Sequence, residues 1–235
     1  MQQIPLALDL VTPTSFEGFI GNDNLLLKAI LAEQALGRGE IQVFIHGPEG
    51  SGKSHLAQAT CYHAGSYGRP AAYWPLRQLG GQLAAASEQI DAFALAVVDD
   101  VDALIGSEEG EFALFDLINR AREAEVPLLL TARLPPTELP VKLPDLASRL
   151  RWGAVLPVQV PTDAEKIELL RARAQERGLE LPHATAQWML AHLPRDVGTL
   201  LEVMDRLDRE SMIAKRRLTV PFVKEVLAED DPPKG

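Results

Sequence analysis

The chain has 235 residues, of which 33 are Asp or Glu and 23 are Lys or Arg, giving a formal net charge of −10 and an isoelectric point near 5.0. With 46% apolar and 24% charged residues it reads as a folded globular protein, and its acidity argues against holding DNA by neutralising phosphates, so no direct sequence-specific DNA binding is expected. No apolar run nears the roughly 18 residues that span a bilayer, the Met1–Pro5 start lacks a signal peptide's basic character, and the single Cys61 excludes an internal disulfide framework. A cytoplasmic protein without membrane association is expected.

Residues 1–15, with Pro5 and Pro13 and no helical period, read as an extended arm. A helical stripe from Asn24 to Leu36 ends at Gly37 and Gly39. Apolar runs then predict strands at Ile41–His46, Ala71–Trp74, Leu95–Asp99, Leu128–Thr131 and Ala154–Val158. Between them the spacing predicts helices at Lys53–Ala64, Leu76–Ala86, Glu109–Ala124 and Leu143–Leu150. Short apolar strands joined by long crossovers imply an α/β base, residues 16–160, built on a parallel sheet covered on both faces. Beyond Val160 the pattern is helical only. Thr162 and Glu165 form a capping box, Gly178 closes that helix, and Ala184–His192, Val197–Ala214 and Pro221–Leu227 follow. Residues 161–228 are therefore expected to form a small all-helical lid, and 229–235 a frayed tail.

Gly47-Pro48-Glu49-Gly50-Ser51-Gly52-Lys53-Ser54 fits the phosphate-loop pattern G-x-x-x-x-G-K-[ST], between a predicted strand and a predicted helix. Such a loop curls its N–H groups around a phosphate, Lys53 neutralises β/γ charge, Ser54 can ligate Mg²⁺, and the next helix points its positive end at the anion. The chain is read as binding ADP or ATP with Mg²⁺. Leu95–Asp99 is an apolar strand that ends in two carboxylates, Asp99 and Asp100, 46 residues after Lys53. Asp99 suits the Mg²⁺ shell and Asp100 can polarise a water at the γ-phosphate. Thr131, at the end of another buried strand, either senses the γ-phosphate or is an ordinary strand-end hydroxyl.

These strand ends followed by a helical lid resemble the AAA+ ATPases over nearly the whole chain. Phe16-Glu-Gly-Phe19-Ile20-Gly21-Asn-Asp-Asn24 is similar to the adenine-side segment of the bacterial initiator DnaA, and Leu143–Gly153 is similar to its arginine-finger region. The segment Leu218–Leu227 and the chain length resemble the DnaA-related regulators that lack the initiator's C-terminal DNA-binding domain; no such domain is expected after Gly235. The resemblance implies a sheet of order 5-1-4-3-2, with Phe19, Ile20 and His55 beside the nucleotide. It also implies that Arg149 is inserted in trans into the site of DnaA to stimulate ATP hydrolysis there, while the regulator is docked on the sliding clamp of DNA polymerase III (beta). By itself Arg149 is an arginine near a helix end; as a finger it would supply a planar, permanent cation to the transferring phosphoryl. The family's lid arginine aligns with Gly198, with Arg195 one turn earlier as its substitute or a solvent-facing residue. Thr131-Ala132-Arg133 lacks the Asp common at that strand end.

The arm segment Gln3-Ile4-Pro5-Leu6-Ala7-Leu8 is similar to clamp-binding peptides, with Ile4, Leu6 and Leu8 offered to pockets and Gln3 to polar contacts. The other reading is that these residues pack on their own domain. Cys61 reads as a core residue, the five histidines lack metal-ligand spacing, and Lys215-Arg216-Arg217 complements a helix end or touches a phosphate backbone. The leading expectation is a regulator that inactivates the initiator, itself an enzyme weakly if at all, with homo-oligomers allowed. The alternatives are an autonomous AAA+ ATPase such as a helicase loader, and a non-catalytic adaptor.

Overall fold

The computed structural model describes residues 15–19, 22–79, 83–214 and 216–228. Gln3, Ile4, Leu6, Leu8, Ile20, Lys215 and the tail 229–235 lie outside the described residues. Contacts divide the chain into two compact units: Asn24–Gly47 and Lys53–Val158 belong to the first, and Gln159 onward to the second, which also takes the loop segment Pro48–Gly52.

The first unit is built on five strands, β1 (Gln42–His46), β2 (Ala71–Pro75), β3 (Leu95–Asp99), β4 (Leu128–Ala132) and β5 (Ala154–Pro157). All pairings are parallel, in the order β2-β3-β4-β1-β5, as the family resemblance implied. Strand residues alternate between two faces. Phe44, Ala96, Val98, Leu128 and Leu130 face Leu114, Leu117 and Ile118 of α5 (Glu108–Glu123) and Leu146 and Leu150 of α6 (Pro144–Leu150). Val43, Ile45, Val97 and Leu129 face Leu27 and Leu31 of α1 (Leu25–Ala35) and Leu56 and Ala57 of α2 (Lys53–Ser66). Each fully buried Leu or Ile in these layers contributes roughly 1.5–3 kcal/mol. Within the span expected as one helix, Leu76–Ala86, the described residues form α3 (Leu76–Leu79) and α4 (Leu83–Ser87).

Glu111 ties this unit together. It falls on the apolar stripe of α5, is 1% exposed, and its carboxylate accepts backbone N–H bonds from Gly106 (2.8 Å), Lys142 (3.0 Å) and Leu143 (2.7 Å). It thus pins the start of α5 to the segment entering α6.

The second unit comprises α7 (Asp163–Glu176), α8 (His183–His192), α9 (Val197–Ala214) and α10 (Val220–Ala228), packed around Leu170, Met189, Leu200, Met204, Leu207 and Phe222. The capping box is present: the Thr162 hydroxyl accepts from the Glu165 N–H (3.3 Å), and the Glu165 carboxylate accepts from the Thr162 N–H (2.8 Å). Among the described residues no helix is long and apolar enough to cross a membrane.

Burial pushes the Glu111 carboxyl up, but the N–H bonds from Gly106, Leu143 and Lys142 and the Lys142 charge outweigh it and hold the group below its ordinary value. Its folded pKa is depressed, so its contribution is present above about pH 4.5 and is lost as pH falls through the folded value. Glu111→Gln is expected to cost about 1–3 kcal/mol in urea unfolding at pH 7, a deficit that shrinks on acidification.

Candidate nucleotide site and the Arg149 edge

β1 delivers Gly47 at its carboxyl end, where the Gly47 N–H bonds the Ala132 carbonyl of β4 (3.2 Å). The loop then turns through Gly50 (φ 75°) and Gly52 (φ 92°), conformations that strongly favour glycine. Lys53 is buried at the start of α2, and its ammonium donates to the Gly47 carbonyl (2.8 Å). The Ser51 hydroxyl is buried with no hydrogen-bond partner among the described residues. A buried ammonium, an orphaned hydroxyl and the positive end of a 14-residue helix are the donors an anionic phosphate requires, so the residues fit a nucleotide. Ser54, half-buried, follows Lys53 on the same turn.

At the ends of β3 and β4 the predicted polar residues meet. The Thr131 hydroxyl donates to Asp99 Oδ1 (2.5 Å) and accepts from the Asp100 N–H (2.9 Å). Asp99 Oδ2 accepts from the Tyr73 phenol (2.7 Å), which burial and then the Asp99 charge push up, so it stays a proton donor. Asp100 sits in the left-handed region (φ 60°), and its Oδ2 accepts from Arg77 Nε (2.7 Å). Both carboxylates are thus engaged from the β2 side, by residues the sequence reading did not single out. The Arg133 N–H is met by Asp102 (3.0 Å), which follows β3.

Phe19 is buried against α2, its ring 5.7 Å from that of His55, while His55 Nε2 lies 3.0 Å from the Ser15 carbonyl. Lys28 of α1 donates to the carbonyls of Phe16 (3.3 Å) and Phe19 (3.1 Å), which fixes this segment. His46, whose imidazole is shifted down first by burial, enters the loop neutral at pH 7. In the second unit Asp196 caps α9 by accepting from the Thr199 N–H (2.8 Å), so Arg195 precedes the helix. Its exposed guanidinium pairs with Asp163 at 3.5 Å.

Arg149 stands at the other edge of the sheet. The Gln42 side-chain amide, at the start of β1, donates to the carbonyls of Arg149 (2.8 Å) and Trp152 (3.1 Å). Gly47, which opens the phosphate loop, follows the far end of that strand, about 13 Å away at about 3.3 Å per residue. The Arg149 guanidinium donates through Nε to Asn119 Oδ1 (2.9 Å) and lies 3.9 Å from the Trp152 ring centroid. Arg122 lies 4.0 Å from the same ring. Gln42, Asn119 and Arg122 were not anticipated; a polar Gln42 inside a buried strand was the available signal.

A parallel sheet of this order, with a phosphate loop after the inner strand β1 and paired carboxylates two strands away, defines an AAA+ fold with a helical lid. It is similar to domain III of the Thermotoga maritima replication initiation protein DnaA (TM-score 0.77, 20% identity, 94% of this chain and 98% of that one). It also resembles AMPPCP-bound DnaA from Aquifex aeolicus (TM-score 0.71, 22% identity, 88% of this chain and 71% of that one). An uncharacterized protein of Haemophilus influenzae is 38% identical over 227 residues, 96% of this chain and 98% of that protein. Residues 163–227 match the family model "Hda, lid domain". The chain belongs to the Hda-like, DnaA-related AAA+ proteins.

Burial and the Asp99 charge push the Cys61 thiol of α2 from 9.0 up to about 12. The reactive thiolate is then about a thousandfold scarcer than in the unfolded chain. Reaction with a disulfide reagent at pH 8 is expected to be about a thousandfold slower in the native protein than in urea, followed by absorbance of the released thiolate.

Proposed function

We propose that this chain is a nucleotide-holding regulator of chromosome replication initiation. It binds ADP or ATP with Mg²⁺ at its phosphate loop and stimulates hydrolysis of the ATP held by the initiator DnaA, supplying Arg149 in trans. Gly47 to Ser54 hold the phosphates, Phe19, Ile20 and His55 flank the base, and Ser54 and Asp99 would hold the metal ion. Thr131 and Arg195 are the remaining nucleotide-side residues of this reading. When bound, the metal offsets phosphate charge; the protein's own part is to neutralise with Lys53 and to orient Asp99 through Tyr73 and Thr131. The base (16–160) and lid (161–228) divide the work, and the arm 1–15 docks on the sliding clamp through Gln3, Ile4, Leu6 and Leu8.

One observation carries the reading. Arg149 is anchored at the start of β1, whereas the chain's own phosphate loop follows its end. A guanidinium so placed serves a neighbour's triphosphate rather than its own. The similarity to DnaA, one solved example of which holds AMPPCP, supports the choice of partner and of nucleotide. The engagement of Asp100 by Arg77 supports slow turnover of the chain's own nucleotide.

Arg149→Ala is expected to leave ADP affinity unchanged while stimulated hydrolysis on DnaA falls by a factor of about 10³ or more, the usual scale for such fingers. Filter assays of DnaA-bound ATP, alongside calorimetric ADP titration, check both. Full stimulation by the variant rejects the finger. Partner-free turnover abolished by Asp100→Ala supports an autonomous ATPase instead.

Replacing Gln3, Leu6 and Leu8 with Ala should abolish retention by immobilised clamp without moving the melting temperature. A large fall in melting temperature would show that the arm packs on its own domain.

A further inference from the structure

Beside Arg149 the base carries a cleft of about 370 Å³ that the nucleotide chemistry does not use. Ile41, Ile118, Ala121, Val126 and Leu128 form its apolar wall, and Trp152 closes one side. Ile41 is 48% exposed although it adjoins a fully buried strand. The size falls in the range of clefts that take up a bulky group.

Two arginines stand at the rim. Arg122 and Arg149 lie 4.0 and 3.9 Å from the centroid of the same Trp152 ring. Among the described residues no carboxylate stands within 4.0 Å of either, whereas Arg77, Arg120, Arg171, Arg177 and Arg216 each have one. Two guanidiniums sharing one indole repel each other, and in a chain of net charge −10 they have been left without a local anion. Aromatic and arginine side chains around an apolar pocket are the composition of an interface centre.

We propose that this cleft receives a bulky apolar side chain from an acidic segment of the protein whose nucleotide Arg149 enters, with a neighbouring carboxylate of that segment pairing with Arg122. The inference rests on the trans-acting reading of Arg149. Arg122 sets how tightly the partner is held, and Arg149 sets how fast its nucleotide turns over. Docking is thereby coupled to presentation of the finger, because both cations lean on Trp152.

The experiment measures hydrolysis of DnaA-bound ATP against the concentration of this chain, for Arg122→Glu and Ile41→Glu, with thermal melting as the check of folding. Both positions are exposed at the rim, so the fold should persist. The expected result is a half-saturating concentration raised about tenfold or more in each variant, with the plateau rate retained; charge reversal at a close pair has effects of this size. Unchanged half-saturation in both variants overturns the proposal. So does a lowered plateau at unchanged half-saturation, which would make Arg122 only a prop for Arg149. A change in the chain's own mass by sedimentation, with DnaA response intact, assigns the cleft to a second copy and also overturns it. If Arg149→Ala stimulates normally, the trans-acting reading itself fails, a result separable from all of these.

Discussion

The functional geometry depends on one buried side-chain amide. The last carbonyls of a helix have no partners within it, and at the end of α6 groups from outside the helix meet them. The Trp152 N–H donates to the Arg149 carbonyl (3.1 Å), and Gln42, 5% exposed, adds its amide nitrogen as a donor to the carbonyls of both Arg149 and Trp152. The approach is so close that a Cβ at Gly153 (φ 70°) would stand 1.9 Å from the Gln42 carbonyl oxygen, so only glycine fits the turn into β5. Leaving such buried carbonyls unpaired costs about 1–3 kcal/mol. The backbone at Arg149 is therefore held by β1, an inner strand of the sheet, rather than by a surface loop, the rigidity that the proposed insertion of its side chain calls for.

Toward the carboxyl ends of β2, β3 and β4, polar groups are ordered by a chain of donors. The Asp100 N–H donates to Thr131, Thr131 donates to Asp99, and Tyr73 donates to the other oxygen of Asp99. Each group has its hydrogen-bond role set by the next, so the carboxylates are oriented before any ligand arrives. Asp100 is further neutralised by Arg77. One sheet thus carries restrained carboxylates beside the candidate phosphate loop at the carboxyl ends of its strands and, at the start of β1, the backbone anchor of Arg149.

The sheet was legible because buried parallel strands are short apolar runs, and β1, β3 and β4 are buried along nearly their whole length. The edge strands β2 and β5 left shorter apolar runs, Ala71–Trp74 and Ala154–Val158, and were legible from those. The site's skeleton was legible from the phosphate-loop pattern and from carboxylates at a strand end. Its supporting residues were less so. Tyr73 and Arg77 reach Asp99 and Asp100 from β2 and from α3 after it, across neighbours that no local pattern encodes. Glu111 left a usable trace, a carboxylate on the buried stripe of α5 with Leu114, Ile118 and Ala121, since a buried charge must be met by donors from elsewhere. Arg122 left none, because an exposed arginine near a helix end is ordinary until the indole beneath it is known.

That indole is how an acidic protein would meet the acidic partner segment proposed for the cleft. At physiological salt, charges more than about 8 Å apart are largely screened, so the net charge of −10 weighs little on a contact between specific side chains. What a docking segment meets is the local field of Arg122 and Arg149 across an apolar cleft, a low-dielectric wall that strengthens their attraction for a carboxylate. The global charge disfavours indiscriminate binding to nucleic acid, and the local pair favours one acidic contact. Two cations on a single tryptophan, neither with a carboxylate within 4.0 Å among the described residues, obtain both effects.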